Sequence, residues 1–389
     1  MGQGIRMNRR TALLGVSGMA ISAVVTGRTA HSASAAAPAP APARGDAALR
    51  DFLAFLSGHR ANAGLVSYAV GRDGLPLTDR PYVWHRAGAL FPVASAVKTL
   101  HLDAYAAARR IGPRQRVRLG DWEAYLLPGT DGGAHERALT ALGLAVKDGR
   151  AADPNATVPF DDVVATMIEH SDNAAADFVR HRVGPDALVA AARKASGMRI
   201  SPVPSLLGQM LVAFASDSPY RGMDGLRRLA ALPAARRYEL AGIQERRHLA
   251  GAAAPMTVPG LEEQSAWAET TYGMAPRLLA ALLAGALTGR GEQAALVRRH
   301  LEWPMRLGGT LPDGLIRLGG KGGSFPGVLS DATYTVAADG TRRVTALTLR
   351  RLAVSDWISL MTSFAHQQMI VRMGTDPAFV DEVARAVTG

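Results

Sequence analysis

Strand-like sequence lies near both ends of this chain and helical sequence fills the middle, and that order constrains the fold most. Leu65-Val66-Ser67-Tyr68-Ala69-Val70 reads as a strand and Tyr82-Val83-Trp84 as a second, paired as a hairpin beyond the turn Gly71-Arg72-Asp73-Gly74. Strands return only late, at Leu315–Leu318, Gly327–Val336 and Arg343–Leu349, between Gly-rich and Ala-Asp-Gly turns. In between, apolar residues at helical spacing predict helices over Ala94–Arg110, Glu136–Lys147, Phe160–Glu169, Asn173–His181, Pro185–Ala195 and Met274–Leu287. One amphipathic helix, Ala47–His59, precedes the first strand, and helices at Asp356–Met369 and Phe379–Val387 close the chain. An antiparallel sheet assembled from both chain ends, with flanking helices and an inserted helical subdomain, is an α+β arrangement. The place where the helical block meets the sheet is the expected small-molecule cleft.

The first 35 residues read as a leader. Arg6, Arg9 and Arg10 precede an apolar run from Thr11 to Val25, and Ala33-Ser34-Ala35 is a cleavage candidate. Asn8-Arg9-Arg10-Thr11-Ala12-Leu13-Leu14 resembles a twin-arginine export signal. The run is shorter than the ~18 apolar residues of a membrane span, so a cleaved signal and a secreted or cell-envelope location are expected. Residues 36–44, rich in Pro and Ala, read as an extended spacer, leaving 45–389 as the folded unit. The chain has no cysteine, which excludes disulfides, thiol nucleophiles and iron–sulfur ligation. Its formal charge is +11, yet no basic cluster interleaves with aromatics, so nucleic acid is not an expected partner. No His-x-x-x-His spacing suggests a metal, and no cofactor is expected.

Forty of the 44 basic residues are arginines, and the four lysines are Lys98, Lys147, Lys194 and Lys321. A guanidinium cannot give up its proton, so a retained lysine marks a place where a titratable amine is useful. Ser95-Ala96-Val97-Lys98 opens the first helix of the block, and its i, i+3 spacing sets a hydroxyl and an amine on one face. A neutral amine there can activate the serine as a nucleophile. Ser171-Asp172-Asn173 follows one helix and starts another, where each residue type also serves as an N-cap. Lys321-Gly322-Gly323-Ser324 follows the strand Leu315–Leu318, and its glycines permit close approach of another backbone. No Gly-x-Ser-x-Gly elbow supports a rival triad, so His101 reads as a packed or partly exposed helix residue and His170 as satisfying a helix end.

Taken in order, these three motifs resemble the serine β-lactamase and penicillin-binding-protein superfamily, and most of all its class A branch. The contexts Phe91-Pro92-Val93-Ala94-Ser95 and Thr270-Thr271-Tyr272-Gly273-Met274 are similar to that branch too, and the likeness spans Leu49 to Val387. The resemblance implies a class A-like fold, with Ser95 as acylated nucleophile, Lys98 as proton acceptor and Ser171 as proton relay. It implies substrate contacts from Asn173, Lys321, Gly323 and Ser324, with an oxyanion hole of the Ser95 and Ser324 amides and a structural role for Asp172. The expected partner is a small-molecule or peptide substrate, bound by a monomer.

Two departures bear on the activity. Gly322 stands where the branch has a hydroxyl residue, and Ser324 lies two residues on, about 6–7 Å along a strand. The segment from Ser171 to Thr270 is longer than in the branch and lacks Glu-x-x-Leu-Asn, whose glutamate activates the deacylating water; Glu262 and Glu263 lie in the neighbourhood but at the wrong distance from Thr270. The expected reaction is acyl transfer from a β-lactam, amide or ester. Esterase, peptidase or transacylase chemistry on the same scaffold is the alternative, as is a non-catalytic exported binding protein.

Overall fold

The computed structural model describes residues 42–108 and 111–389. The leader at 1–35 and the spacer up to residue 41 lie outside the described residues. Five strands form one antiparallel sheet: β1 (Ala63–Ala69), β2 (Val83–His85), β3 (Leu315–Phe325), β4 (Val328–Ala337) and β5 (Arg342–Leu349). Their order is β2-β1-β5-β4-β3, so the two chain ends meet in the middle of the sheet. There β1 runs antiparallel to β5 from Ala63↔Leu349 to Ala69↔Arg343.

Side chains alternate across the sheet and feed two cores. Leu65, Val83, Leu329 and Leu347 join one with residues of the helices Pro42–Gly58, Ala365–Thr375 and Pro377–Thr388. Val66, Tyr68, Ala332, Tyr334 and Val344 join the other, under the helix Pro276–Thr288. The helices Lys98–Ala107, Pro185–Ser196 and Gly291–Leu301 pack behind that one. The long segment between Ser171 and Thr270 builds a third core from Leu207, Leu211, Leu226, Leu229 and Trp267. Its helices are Leu206–Phe214, Gly222–Ala231, Ala234–Leu249 and Leu261–Ala268.

The structure departs from the periodicity in four places, each with a local cause. The helix expected from Ala94 begins as a 3₁₀ turn, Ala94–Val97, before the α-helix Lys98–Ala107. The helix expected over Glu136–Lys147 stops at Ala141, and Val146–Lys147 pairs with Arg150–Ala151 instead. Asp148 (φ 52) and Gly149 (φ 73) are both left-handed, as a two-residue Asp-Gly hairpin turn requires. The helix expected over Asp356–Met369 breaks at Phe364, whose φ of 53 ends Val354–Ser363 and starts Ala365–Thr375. Finally, Lys321-Gly322-Gly323-Ser324 lies inside β3 and not beyond its end. Glycine is poor at holding a lone strand, but here β4 fixes the register from Ala332↔Lys321 to Leu329↔Ser324. No described helix is long and apolar enough to cross a membrane.

Candidate active site

The first two motifs converge on one amine, and Gly323 of the third packs against the backbone of Ser95. Lys98 Nζ lies 3.0 Å from Ser95 Oγ, 2.6 Å from Ser171 O, 3.1 Å from Ser171 Oγ and 2.8 Å from Asn173 Oδ1. The side chain is buried, and burial pulls its pKa down to about 8 against the opposing fields of Asp172, Asp177 and Asp131. Two of the four oxygens, the Ser171 carbonyl and the Asn173 amide, can only accept. A neutral amine has two N–H groups and one lone pair, so those two oxygens take both protons. The lone pair then faces the hydroxyls of Ser95 and Ser171. That is the hydrogen-bonding pattern of a general base, produced by the neighbours of the lysine.

Both hydroxyls sit on or beside strained backbone. Ala94, just before Ser95, has φ 43, and Ser171 has φ 60. A non-glycine residue in this region costs on the order of 1–3 kcal/mol and persists only where packing over-determines it. At Ser171 the fixing contacts come from Asp172, whose Oδ1 accepts the Ala175 N–H at 3.0 Å as the N-cap of the helix Asn173–Val183. At Ser95 they come from β3. A Cβ built on Gly323 would lie 2.5 Å from Ser95 N, 2.6 Å from Ala96 N and 2.6 Å from Val93 O, all of them backbone atoms. Ser330 Oγ on β4 secures the same turn by donating to Val93 O at 2.6 Å. Gly323→Ala is therefore expected to displace the Ser95 turn or the strand. A destabilisation of about 1–3 kcal/mol should appear in thermal melting, together with slower capture of a serine-reactive probe.

Lys321 is fully buried, and its amine donates to the neighbouring Gly322 carbonyl at 3.0 Å. Burial, then repulsion from Lys98, hold its amine well below the usual lysine range, with Asp331 opposing. The Ser324 hydroxyl accepts from Trp357 Nε1 at 2.7 Å, which ties it to the helix Val354–Ser363. Glu262 and Glu263 lie in the first turn of Leu261–Ala268 and do not line the cleft beside Ser95.

That cleft encloses about 450 Å³, open to solvent. Val203, Pro204, Leu206 and Phe325 form its apolar wall, with Asp177 and Gln209 among the polar residues. Asp177 accepts from Leu206 N at 2.9 Å and Leu207 N at 2.8 Å, while burial pushes its pKa up to about 6. Gln209 accepts from Tyr272 N at 2.9 Å and donates to Ser205 O at 3.2 Å. His101 also lines the cleft, and burial, with Arg180 and Lys98 nearby, takes its pKa down to about 3, so the ring is neutral. Spacing in the sequence does not reveal Asp177, Gln209 or the buried pair His135 and Glu123, because their partners lie on other elements. His170 is half-buried and its pKa is lowered by burial. Among the described residues no group of three or more carboxylates and histidines could hold a metal ion.

A family model described as the β-lactamase enzyme family matches residues 146–363, more than half of the chain. Among solved structures, PBP-A is similar at 16% identity and a TM-score of 0.51, over 84% of this chain and 95% of that one. L2, solved with relebactam, is similar at 18% identity and a TM-score of 0.50, over 84% of this chain and 98% of that one. No curated protein matches by sequence. At these identities the structural likeness establishes the fold.

Proposed function

The chain belongs to the β-lactamase enzyme family, and on that premise we propose that it is an exported serine hydrolase working through an ester of Ser95 on a β-lactam, amide or ester. The observation that carries this reading is the set of four oxygens around Lys98 Nζ, which aims the lone pair of a neutral amine at hydroxyls. In the first step Lys98 takes the Ser95 proton as Oγ bonds to the substrate carbonyl carbon. The carbonyl oxygen becomes an oxyanion held by the Ser95 and Ser324 amides, a pairing that the close packing of Gly323 on the Ser95 backbone supports. The bond to the leaving group then breaks. Ser171 donates its proton to that group and regains one from Lys98, 3.1 Å away. Asn173 binds the substrate amide and Lys321 its carboxylate, whose negative charge favours reprotonation of the buried amine. The basic leader and its apolar run support export, and the amino terminus of secreted protein, read by mass spectrometry, tests that part.

The test of the reaction is mass spectrometry of the purified protein with a penicillin, a chromogenic cephalosporin and a p-nitrophenyl ester. Addition of an acyl mass to Ser95 is expected with at least one of them. A binding protein that forms no covalent intermediate would show none.

Lys98→Arg supplies a more specific check. Arginine keeps the cation but cannot accept a proton near neutral pH. Acylation is expected to fall by about 10²-fold or more, the scale of a lost general base. The wild-type rate is expected to rise with pH through about 8, as the amine becomes neutral. A variant acylating at the wild-type rate would reduce Lys98 to a structural cation.

A further inference from the structure

Behind the Ser171 turn, in a part of the molecule with no contact to the cleft, a single imidazole bridges two carboxylates. His135 is buried on the helix Ala134–Ala141. Its Nδ1 lies 2.7 Å from Asp172 Oδ2 and its Nε2 lies 3.1 Å from Glu123 Oε1. A carboxylate only accepts, so both contacts are hydrogen bonds at once only when both ring nitrogens carry protons. Glu123 is itself anchored, taking the Ala151 N–H at 2.6 Å on Oε1 and facing Arg150 at 4.0 Å. The edge of the His135 ring packs against Trp122, with centroids 4.9 Å apart.

From this geometry we infer that His135 is a positioning residue, a buried imidazolium that clamps Asp172 and thereby holds the Ser171 and Asn173 groups on Lys98. Asp172 divides its carboxylate between two tasks. Oδ1 caps the helix Asn173–Val183, and Oδ2 is held by His135. The residue before it is the left-handed Ser171, and the residue after it supplies the Asn173 amide. Three of the four contacts to Lys98 Nζ therefore hang on this turn. If the ring loses one proton, a lone pair faces a carboxylate oxygen without water between them, and the clamp opens at Asp172 or at Glu123.

The charged groups around the ring all favour its cation or are occupied elsewhere. Asp131 takes the backbone N–H groups of Gly133 and His135. Arg137, two residues along the helix, donates to Gly132 O, and Arg150 faces Glu123 Oε2 and its carbonyl, not the oxygen that meets His135. His170, beside the turn, is held toward its neutral form by burial and by Arg137. Burial alone would lower the pKa of His135, but its hydrogen bonds and the charges of Asp172 and Glu123 outweigh that and push it up to about 9. A cation whose pKa is raised on folding stabilises the fold fully below its unfolded value of 6.5, and the contribution is lost as pH rises through about 9.

This inference rests on the Ser95 reading for its catalytic consequence, but its first test needs no substrate. Thermal melting of the full chain from pH 6 to 10 should show stability falling progressively from about pH 6.5 to an inflection near pH 9, above which this loss is complete. In Glu123→Gln, which removes one counter-charge and leaves Asp172 untouched, that inflection should move down by about one unit or more. In His135→Gln it should vanish. The second readout is the rate of labelling by a fluorophosphonate. It should fall on the alkaline side at the pH of that inflection, near 9, and that limb should shift in Glu123→Gln with the inflection. An inflection unmoved by Glu123→Gln, or ring carbon shifts showing a neutral His135 at pH 7, would overturn the inference. Melting that shifts as expected while no probe labels Ser95 would leave the clamp standing and defeat the acyl-transfer reading instead.

Discussion

Ser95→Ala abolishes covalent capture by a β-lactam or a fluorophosphonate and leaves the fold in place. The expectation rests on what Ser95 does and does not hold together. Its hydroxyl contributes one of the four contacts to Lys98, and the other three come from Ser171 and Asn173. The turn that carries it is fixed through backbone atoms, by Gly323 and by the Ser330 bond to Val93, none of which the substitution touches. Stability should therefore change by no more than about 1 kcal/mol, the size of one ordinary hydrogen bond. Distance alone does not single out Ser95, since Ser171 Oγ is 3.1 Å from the same amine. Exposure separates the two hydroxyls. Ser95 is half-exposed and lines the cleft, whereas Ser171 is buried behind it. Peptide mapping of the labelled variant gives the decisive result. An adduct on Ser171 in Ser95→Ala would exchange the nucleophile and relay roles. An adduct elsewhere would remove the Lys98 cluster from the chemistry.

Much of this arrangement was legible because it is carried by spacing or by chain order. The i, i+3 step from Ser95 to Lys98 survives even though the turn between them is 3₁₀ and not α, since both place the side chains on one side. Strands near both ends announced an antiparallel sheet, and β1 meets β5 at its centre. Asp148-Gly149 is a hairpin signal that the helical periodicity of its neighbours concealed. Phe364 gives no sign of ending a helix, because an apolar residue at that position satisfies either continuation, and only its left-handed backbone separates the two. The placement of Lys321 and Gly323 inside β3 depends on β4, a neighbour in the sheet, and local residue preferences cannot report it. The His135 clamp joins residues 123, 135 and 172, which lie on three different elements. Nothing short of the packed structure brings them together.

The two halves of the reaction are expected to be unbalanced, with a penicillin giving a fast burst and then slow release. Acylation calls on Ser95, Lys98 and Ser171, and both hydroxyls lie within 3.1 Å of Lys98 Nζ. Deacylation by water calls for a base on the other side of the ester, and apart from Lys98 the side chains lining the cleft that resemble one are either committed or too weak. Asp177 gives an oxygen to each of two backbone amides at the start of the helix Leu206–Phe214. Gln209 carries no charge and spans Tyr272 and Ser205. His101 is neutral but too weak a base, with its pKa down at about 3. Apolar Val203, Pro204 and Leu206 form the neighbouring wall, which offers a water little to hold it. The segment between Ser171 and Thr270, which lacks Glu-x-x-Leu-Asn, thus lines the cleft without supplying an uncommitted carboxylate.

Turnover should then lag acylation by about 10²-fold or more, the scale on which a general base acts. Lys98 is the remaining base, so the slow step should accelerate with rising pH through about 8, where the amine becomes neutral. Stopped-flow measurement of the burst, with the acyl-enzyme lifetime followed by mass spectrometry, separates the two steps. Adding an amine nucleophile should shorten that lifetime, because an amine needs less activation than water to attack an ester. Rapid penicillin turnover with no detectable adduct would show that a carboxylate does reach the water. Glu262→Gln and Glu263→Gln would then be the variants to make, since movement of the helix Leu261–Ala268 could bring those side chains toward Ser95.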